Sequence, residues 1–402
     1  MVEGNSSQKI GLSTATIISM NAMIGAGIFA LPAVLANKVG PAGILAFIFV
    51  TASVWFIAQA LAHVAKRFPQ EGSFYTYTKQ WAGHTLGIIS SGTYLFGILV
   101  AKGLLVQKAG VFAQHFIPGV PANTLGTIIL AMIILLNILG VKMSQFGQRL
   151  LIICTALPIL TITILCLTKM DFSLLTPFAP YGFGNVLSAT RVVIFGFFGF
   201  ECAASLFGCV QNPKKNVPKA LTYSILLVGA LYTLFIGAII LSTPLNLFAT
   251  KELPEVLKIT LPEYPWIVNI INISILSAII GTIHSMIWAS GCLLLSLFKK
   301  MKNPILKKSL LKNILNKKVC ILLSGLVIYV SFLVIKRQDL FFSLAALFIV
   351  FSYITSIITL LFIKEEWQSG QNIKTLIGIA TALMIFVFAA QDLIQETAKL
   401  FN

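Results

Sequence analysis

The order of apolar and polar residues divides the chain into long apolar runs separated by short polar segments. Each run is long enough to cross a bilayer as a helix, which needs about 20 residues. A strand of a membrane barrel needs only about 10 residues, so runs of this length favour helices. The pattern therefore predicts an all-helical protein with about eleven transmembrane spans, at residues 12–36, 41–64, 84–113, 123–141, 149–168, 187–209, 220–242, 266–298, 319–335, 340–363 and 373–391.

Two of these runs are interrupted by glycine at corresponding places in the two halves of the chain. Gly25, Ala26 and Gly27 interrupt span 1, and Gly196 and Gly199 interrupt span 6. Glycine lets a backbone leave helical geometry and lets a ligand approach it. Two glycine-broken spans at matching positions indicate the central site of a transporter, whereas small residues can also serve close helix packing. Because Gly25 and Gly27 are two apart and lie on different helix faces, the unwound site is favoured.

An unwound segment would offer its backbone groups to a zwitterionic ligand. The N–H groups that begin a half-helix carry partial positive charge and favour a carboxylate, and free carbonyl oxygens favour a cation. We expect the amides of residues 25–27 to hold a carboxylate and the carbonyls beside the two breaks to hold an ammonium. The predicted substrate-binding residues are Met23, Ile24, Gly25, Ala26, Gly27, Lys102, Phe195, Gly196 and Gly199.

Composition agrees with a membrane protein, and the placement of charge predicts its orientation. Of 402 residues, 57% are hydrophobic and 10% are charged, against about 25% charged in soluble domains. The formal net charge is +17, but most basic residues fall on one side of the spans, notably in residues 299–318. This asymmetry predicts a cytoplasmic N-terminus and, with an odd span count, an outer C-terminus. It also predicts contact with membrane lipids of the plasma (inner) membrane, and no nucleic-acid partner.

Three motifs give the chain a specific resemblance to a known family. Residues 25–29 look like the glycine-rich first-span motif of the amino acid–polyamine–organocation permeases. Residues 196–201, with the loop at 212–220, resemble the sixth-span motif of that family. Residues 69–77 resemble its loop between spans 2 and 3. The resemblance covers about the first 220 residues, and the remainder matches in hydropathy more than in motif.

The resemblance implies a single integral membrane domain over residues 1–402, built as a five-plus-five inverted repeat with helices 1 and 6 broken. Alternating access would come from rocking one bundle of helices against the other. Phe195 matches the aromatic gate of the family. The implied repeats cover about 12–168 and about 187–363, and an extra C-terminal span covers about 373–391.

Two charged residues lie deep inside predicted spans. An ionisable group at that depth is costly and is a functional hypothesis by default. Glu201 follows the break of span 6 and matches a family glutamate linked to gating and coupling; otherwise it braces the broken helix. Lys102 lies in the middle of span 3, which lines the cavity in that family. It would repel a cationic substrate, pair with Glu201, or be packed as a neutral amine.

The sequence is consistent with several coupling mechanisms. Where proton-coupled members of the family carry a lysine in span 5, this chain has Thr155. This difference leaves exchange, sodium coupling through hydroxyls, or coupling through Glu201 and Lys102. His284 in span 8 is a further titratable candidate, although a lone histidine is more often a packing residue. The predicted coupling and gating residues are Glu201, Lys102, Thr155 and His284.

Together these features predict a secondary active transporter of an amino acid, with a neutral or acidic substrate favoured. The partners would be that substrate and either an H+ or Na+ ion or an exchanged amino acid. A transport-dead amino acid sensor and a polyamine or basic amino acid antiporter are the alternatives. The spans contain no paired acid and nucleophile, no phosphate-binding loop and no metal-ligand spacing. An enzyme, a cofactor and a metal site are therefore not expected, and the sequence does not specify the oligomeric state.

Overall fold

The described chain is helical almost throughout, as the apolar runs predict. The computed structural model describes residues 9–300, 316–334, 338–362 and 369–398. Within them, nine single helices and two helix pairs correspond in position to the eleven predicted spans. In order they are Leu12–Met23 with Gly27–Lys38, Gly43–Arg67, Ser73–Ala113, Ala122–Ile138, Val141–Thr168, Phe183–Phe195 with Cys202–Ser205, Pro213–Ser242, Ile267–Lys300, Lys317–Val334, Gln338–Ile358 and Ser369–Ala398.

Most of these helices are long and apolar enough to cross a membrane. In the described residues this holds for eight single helices, and for the bent pair of span 1 when its two halves are taken together. The helices of span 4, Ala122–Ile138, and of span 6, Phe183–Phe195, are apolar but shorter. The predicted class, an all-α polytopic five-plus-five inverted repeat with spans 1 and 6 broken, is confirmed.

Glycine fixes the ends and kinks of several spans. The helix Ser73–Ala113 contains one non-helical residue, Gly83, with φ +77° and ψ −175°. The predicted start of span 3 at residue 84 coincides with this kink. Gly140 separates spans 4 and 5 with φ +114°, a conformation that glycine adopts without the steric cost of a Cβ atom. Span 7 begins at Pro213, where a missing N–H costs nothing because the first amides of a helix have no intrahelical partner.

The outward faces of the helices are apolar. Along span 5, Phe146, Leu150, Ile153, Leu157 and Ile164 are each roughly half exposed or more. Their spacing of three, four and seven residues places them on one face of the helix. A continuous exposed apolar stripe is unfavourable in water and favourable against lipid. The stripe therefore identifies a face toward the bilayer.

The broken spans lie at the centre of the bundle. Helix Leu12–Met23 packs against spans 5, 7 and 8, and the short helix Cys202–Ser205 packs against spans 1, 7 and 8. Span 2 packs against spans 6, 7 and 11, and span 3 packs against spans 4, 8, 9 and 10. The two breaks are thereby enclosed by helices that can satisfy their freed backbone groups.

Contacts between loops agree with an alternating path through the membrane. Lys169, after span 5, forms an exposed ion pair with Glu263, before span 8, at 2.5 Å. At the opposite predicted side, the Lys300 ammonium donates to the carbonyl of Glu71, in the loop between spans 2 and 3. Segments predicted to share a side therefore meet. Most of the basic segment 299–318 lies outside the described residues, so its predicted lipid contact stays a prediction.

Candidate functional site

The first break is a change of direction between two half-helices of span 1. Helix Leu12–Met23 ends at Ile24, whose ψ of 93° is extended, and the next helix begins at Gly27 at an angle of 45°. Ile24 is buried, Gly25 and Ala26 are half-buried, and Gly27 is exposed. A Cβ atom built on Gly27 would meet nothing within 4 Å. The start of the second half-helix therefore faces open space.

The amides of this break have no backbone acceptor in the described part of the chain. The first backbone hydrogen bond after the break is donated by Phe29 to the carbonyl of Ala26, at 3.2 Å. The first N–H groups of a helix have no intrahelical partner and carry the positive end of its dipole. The N–H groups of residues 25–27 are therefore available to an anionic group.

The Thr282 hydroxyl of span 8 lies close to three backbone carbonyl groups at the end of helix Leu12–Met23 and in span 8. Its hydroxyl oxygen lies 2.9 Å from the Asn21 carbonyl, 3.0 Å from that of Ile24 and 2.9 Å from that of Ala278. One hydroxyl proton can serve only one of these oxygens at a time. Three carbonyl oxygens from two spans therefore converge at one point. Sequence reasoning missed Thr282, because one threonine in a long apolar run gives no signal of its own.

The second break joins the first through Gly199. Helix Phe183–Phe195 ends, and residues 196–201 continue as turns to the short helix Cys202–Ser205. Gly199 has φ +122°, and a Cβ atom built there would lie 2.6 Å from the carbonyl carbon and oxygen of Ala22. Only glycine allows this approach without displacing backbone. The two breaks predicted from the sequence are therefore in contact.

Tyr232 of span 7 ties the two breaks together. Its hydroxyl lies 3.1 Å from the Met23 carbonyl and 3.2 Å from the Gly196 carbonyl. Its ring packs edge-to-face on Phe197, with ring centroids 5.5 Å apart. Two of the carbonyls expected to hold an ammonium thus already have one hydroxyl between them. Each carbonyl has two lone pairs, so a second donor can still be accepted. Tyr232 was also missed from the sequence.

Glu201 is fully buried at the end of the second break. One carboxylate oxygen accepts a hydrogen bond from the Tyr94 hydroxyl at 2.8 Å, and the other accepts from the Gly199 amide at 3.0 Å. Tyr94 packs against Phe74, with ring centroids 4.3 Å apart. The carboxylate thus links span 3 to the turn of span 6, which fits both predicted roles, gating and bracing.

Lys102 is buried in the same region, with 6% of its surface exposed. It is close enough to Glu201 for electrostatic attraction. Among the described residues, ion pairs within 4.0 Å join Lys169 to Glu263 and Lys299 to Glu71, and none joins Lys102 to Glu201. Its neighbour Gly103 packs against Ser331 of span 9. The two charges therefore share one buried region without forming a direct salt bridge.

Thr155 and His284 lie in hydrogen-bonded clusters of their own. The Thr155 hydroxyl donates to Ser277 of span 8 at 3.1 Å. The Asn137 amide lies 2.7 Å from His284 Nδ1, and His284 Nε2 lies 3.2 Å from the Ser144 carbonyl. Both ring nitrogens have partners that suit a neutral imidazole protonated at Nε2. These hydrogen bonds connect span 8 to spans 4 and 5 through His284.

A further polar cluster, which sequence reasoning missed, connects span 1 to spans 5 and 8. Asn21 donates to the side-chain and main-chain oxygens of Gln148, at 2.6 and 2.8 Å. Ser285 donates to the same Gln148 side-chain oxygen at 2.9 Å. The structure therefore brings Met23 to Gly27 together with Phe195, Gly196, Gly199 and Glu201 and places Lys102 nearby. Thr155 and His284 form hydrogen bonds with residues of spans 4, 5 and 8. In the described residues, no three His, Cys, Asp or Glu side chains form a group suited to a metal ion.

Known proteins resemble the chain along most of its length. A family model described as amino acid permease matches residues 14–391. A branched-chain amino acid permease of Bacillus subtilis (strain 168) is 28% identical over 287 residues, which are 66% of this chain and 62% of that relative. A gamma-aminobutyric acid permease of Escherichia coli (strain K12) is 26% identical over 309 residues, 72% of this chain and 65% of that relative.

The chain spans less than two thirds of the length of these curated relatives. An aspartate-proton symporter of B. subtilis is 29% identical over 258 residues, 59% of this chain and 49% of that relative. Among solved structures, a Na+-coupled sialic acid symporter in a substrate-bound outward-open state is similar. Its TM-score is 0.63 at 12% identity, covering 96% of this chain and 90% of that one. At that identity the similarity concerns the fold.

Proposed function

The chain belongs to the amino acid permease family, and from that membership we propose that it is a secondary transporter, not an enzyme, that carries an amino acid by alternating access. The observation that carries the proposal is the contact between two broken helices, made through Gly199 and Tyr232. Backbone donors and acceptors are brought together there, as a zwitterion requires. Rocking of one bundle of helices against the other would expose the site to each side in turn.

The carboxylate of the substrate would bind at the start of helix Gly27–Lys38. The amides of residues 25–27 have no backbone acceptor in the described residues, and Gly27 faces open space. Partial positive charge at a helix N-terminus stabilises an anion by about 0.3–1 kcal/mol, and by up to about 2 kcal/mol in partly buried geometries. The residues proposed to form this part of the site are Met23, Ile24, Gly25, Ala26 and Gly27.

The ammonium group would bind between the two breaks, at the carbonyls of Met23 and Gly196. These oxygens already flank the Tyr232 hydroxyl, and each can accept one more hydrogen bond. Phe195 and Phe198, whose ring centroids are 5.5 Å apart, would cover this end of the site. Phe195 is the proposed aromatic gate.

Lys102 would bias the site toward neutral or acidic substrates. Its ammonium is buried and has no ion pair within 4.0 Å in the described residues. A buried charge is weakly screened, so it would repel a second cation in the same region. The negative charge of Glu201 would offset part of the field of Lys102. Through its hydrogen bond with Tyr94, Glu201 would also couple movement of span 6 to span 3.

Two sites would serve coupling. The three carbonyl oxygens around the Thr282 hydroxyl form an oxygen cluster of the kind that coordinates Na+ in transporters with unwound helices. A second oxygen-rich cluster lies between spans 5 and 8, where the Thr155 hydroxyl donates to Ser277 and the Ser274 hydroxyl donates to the Thr155 carbonyl. Thr155 carries no charge where proton-coupled members of the family carry a lysine. We therefore favour symport with Na+ or exchange of amino acids over coupling through His284.

The membrane would be the plasma (inner) membrane, with a cytoplasmic N-terminus and an outer C-terminus. The experiment on function is uptake into proteoliposomes of labelled leucine, glutamate and arginine, with sodium, a proton gradient or internal amino acid supplied separately. We expect leucine or glutamate to accumulate ahead of arginine. Binding that raises the thermal midpoint without any uptake would favour an amino acid sensor. Preferred uptake of arginine or polyamines would favour a basic antiporter.

The matched variants are Gly27→Leu and Gly92→Leu. Both glycines lie in helices, are exposed, and leave open space for a Cβ atom. Leucine at position 27 would fill the proposed carboxylate position, whereas leucine at position 92 would face away from the breaks. We expect Gly27→Leu to abolish ligand-induced stabilisation and uptake, and Gly92→Leu to retain both. Equal uptake by the two variants would contradict the proposed site.

A further inference from the structure

Two free cysteines from different spans lie in contact where span 6 ends. Cys209 follows the broken half of span 6, and Cys292 lies in span 8. Their Sγ atoms are 3.2 Å apart, both thiols are free, and both residues are of intermediate burial. A disulfide requires the sulfurs to approach to about 2.05 Å. Since the atoms already touch, the remaining movement is small.

A positive charge lies beside this thiol pair. The Lys317 ammonium, at the start of span 9, is 3.9 Å from Cys209 Sγ. It also lies over the Trp288 ring, 5.2 Å from the centroid, which holds it in position. The thiolate is the nucleophile in disulfide exchange, and a neighbouring cation favours the thiolate form. Three spans thus contribute to a reactive thiol site.

The site connects the ends of the two broken spans to an unbroken span. The Ile10 amide donates to the Cys209 carbonyl at 2.9 Å, and the Gln211 amide donates to the Ile10 carbonyl at 2.8 Å. The end of span 6 is therefore attached by backbone hydrogen bonds to the start of span 1. Cys292, by contrast, belongs to the unbroken helix Ile267–Lys300. A covalent bond between Cys209 and Cys292 would fasten the ends of both broken spans to span 8.

We propose that Cys209 and Cys292 form a reversible disulfide that restrains this end of spans 1 and 6. The Cys209 thiolate attacks one sulfur of a small-molecule disulfide and releases one thiolate, which takes up a proton. Cys292 then loses its proton, and its sulfur attacks Cys209 in the mixed disulfide and releases the second thiol. The two protein thiols are oxidised by two electrons, and the small disulfide is reduced to two thiols.

The predicted location of the site suits a disulfide that regulates transport in response to redox conditions. With the N-terminus inside, the site faces the cytoplasm, where disulfides are usually transient and sense redox changes. The restraint on transport rests on the proposed function, whereas bond formation does not. Reduction would release the ends of spans 1 and 6 and restore their motion.

The first test measures the bond in the full-length protein. The purified chain is incubated with oxidised glutathione or with dithiothreitol, denatured, and alkylated with N-ethylmaleimide. The chain has six cysteines, so the reduced protein should gain six adducts. The oxidised protein should gain two fewer, and peptide mapping should find Cys209 linked to Cys292. Six adducts after oxidation, or a link through another pair, would overturn the proposal.

Single variants separate the pair from the other thiols. Cys209→Ser and Cys292→Ser should lose the linked peptide, whereas Cys154→Ser, another half-buried cysteine, should keep it. Lys317→Gln should slow formation of the link several-fold, and Lys317→Arg should preserve its rate. A link that persists in Cys209→Ser, or a rate that is unchanged in Lys317→Gln, would contradict the assigned roles.

The second test measures the restraint. Oxidised proteoliposomes should show reduced uptake that dithiothreitol restores, and Cys209→Ser should be insensitive to oxidation. A quantitative link with unchanged uptake would overturn the restraint. A reduced protein without any uptake would contradict the proposed function instead, and the adduct count would still decide whether the disulfide forms.

Discussion

Replacing Gly199 with alanine would force apart the two breaks on which the site depends. The added Cβ atom would lie 2.6 Å from the carbonyl carbon and oxygen of Ala22 and 3.0 Å from its Cβ atom. These are backbone atoms of span 1 or atoms fixed to it, so no side-chain rotation relieves the overlap. Gly199 also has φ +122°, where an L-residue with a Cβ atom is strained.

The size of the effect follows from these two costs. A residue held in a sparsely populated backbone region costs about 1–3 kcal/mol. Inserting a methyl group into a filled space costs about 1–3 kcal/mol more. We therefore expect Gly199→Ala to lower the free energy of unfolding by roughly 2–6 kcal/mol. Part of that cost can be relieved if the two breaks move apart. Such a separation would weaken ligand binding, by about tenfold in affinity for each 1.4 kcal/mol of binding free energy lost.

Gly196→Ala is the matched control, because the two glycines are three residues apart in the same break. Gly196 has a helical φ of −66°. Its added Cβ atom would lie 3.2 Å from the Val193 carbonyl oxygen and 3.5 Å from the Tyr232 ring. Alanine fits there with a small adjustment. By reducing the conformational entropy of the unfolded chain, it would stabilise the protein by about 0.4–1 kcal/mol. We expect this variant to stay within about 1 kcal/mol of the parent.

The assay is the unfolding midpoint of each variant in detergent, with and without a saturating ligand from the amino acid screen. Gly199→Ala should show a lower midpoint and a smaller ligand-induced shift than Gly196→Ala. If the two variants unfold at the same midpoint and bind alike, the contact between Gly199 and Ala22 does not hold the breaks together. Expression and membrane insertion, checked for both, separate loss of folding from loss of binding.

Three further predictions concern charged groups. Lys102→Asn should raise arginine uptake relative to glutamate between pH 5 and 8, and an unchanged ratio would contradict cation exclusion. Tyr94→Phe removes a hydrogen bond to the buried carboxylate of Glu201 and should destabilise the protein by about 1.5–3 kcal/mol; a midpoint equal to that of the parent would refute it. The hydrogen bond from Lys169 lowers the pKa of the Glu263 carboxyl. The stability that this ion pair contributes is therefore present above the usual carboxyl pKa and is lost as pH falls through the lowered pKa. Because both groups are exposed, Glu263→Gln should barely change the midpoint at neutral pH.

The sequence by itself determined the spans and the two breaks, because their causes are local. Runs of about 20 apolar residues become helices in a bilayer whatever surrounds them, since every backbone group must be satisfied within the segment. Glycine at residues 25, 27, 196 and 199 weakens a helix where it stands. The kink at Gly83 has the same local cause, although the apolar pattern predicted only the start of span 3 beside it.

Only the tertiary structure decided which groups meet at the breaks. Tyr232 reaches Met23 from 209 positions along the chain, and Thr282 reaches Asn21 from 261 positions. Periodicity and composition carry no information on such pairings, because they depend on how whole helices pack. The same holds for Cys209 and Cys292, which are 83 positions apart and look like ordinary apolar residues until spans 6 and 8 are placed side by side.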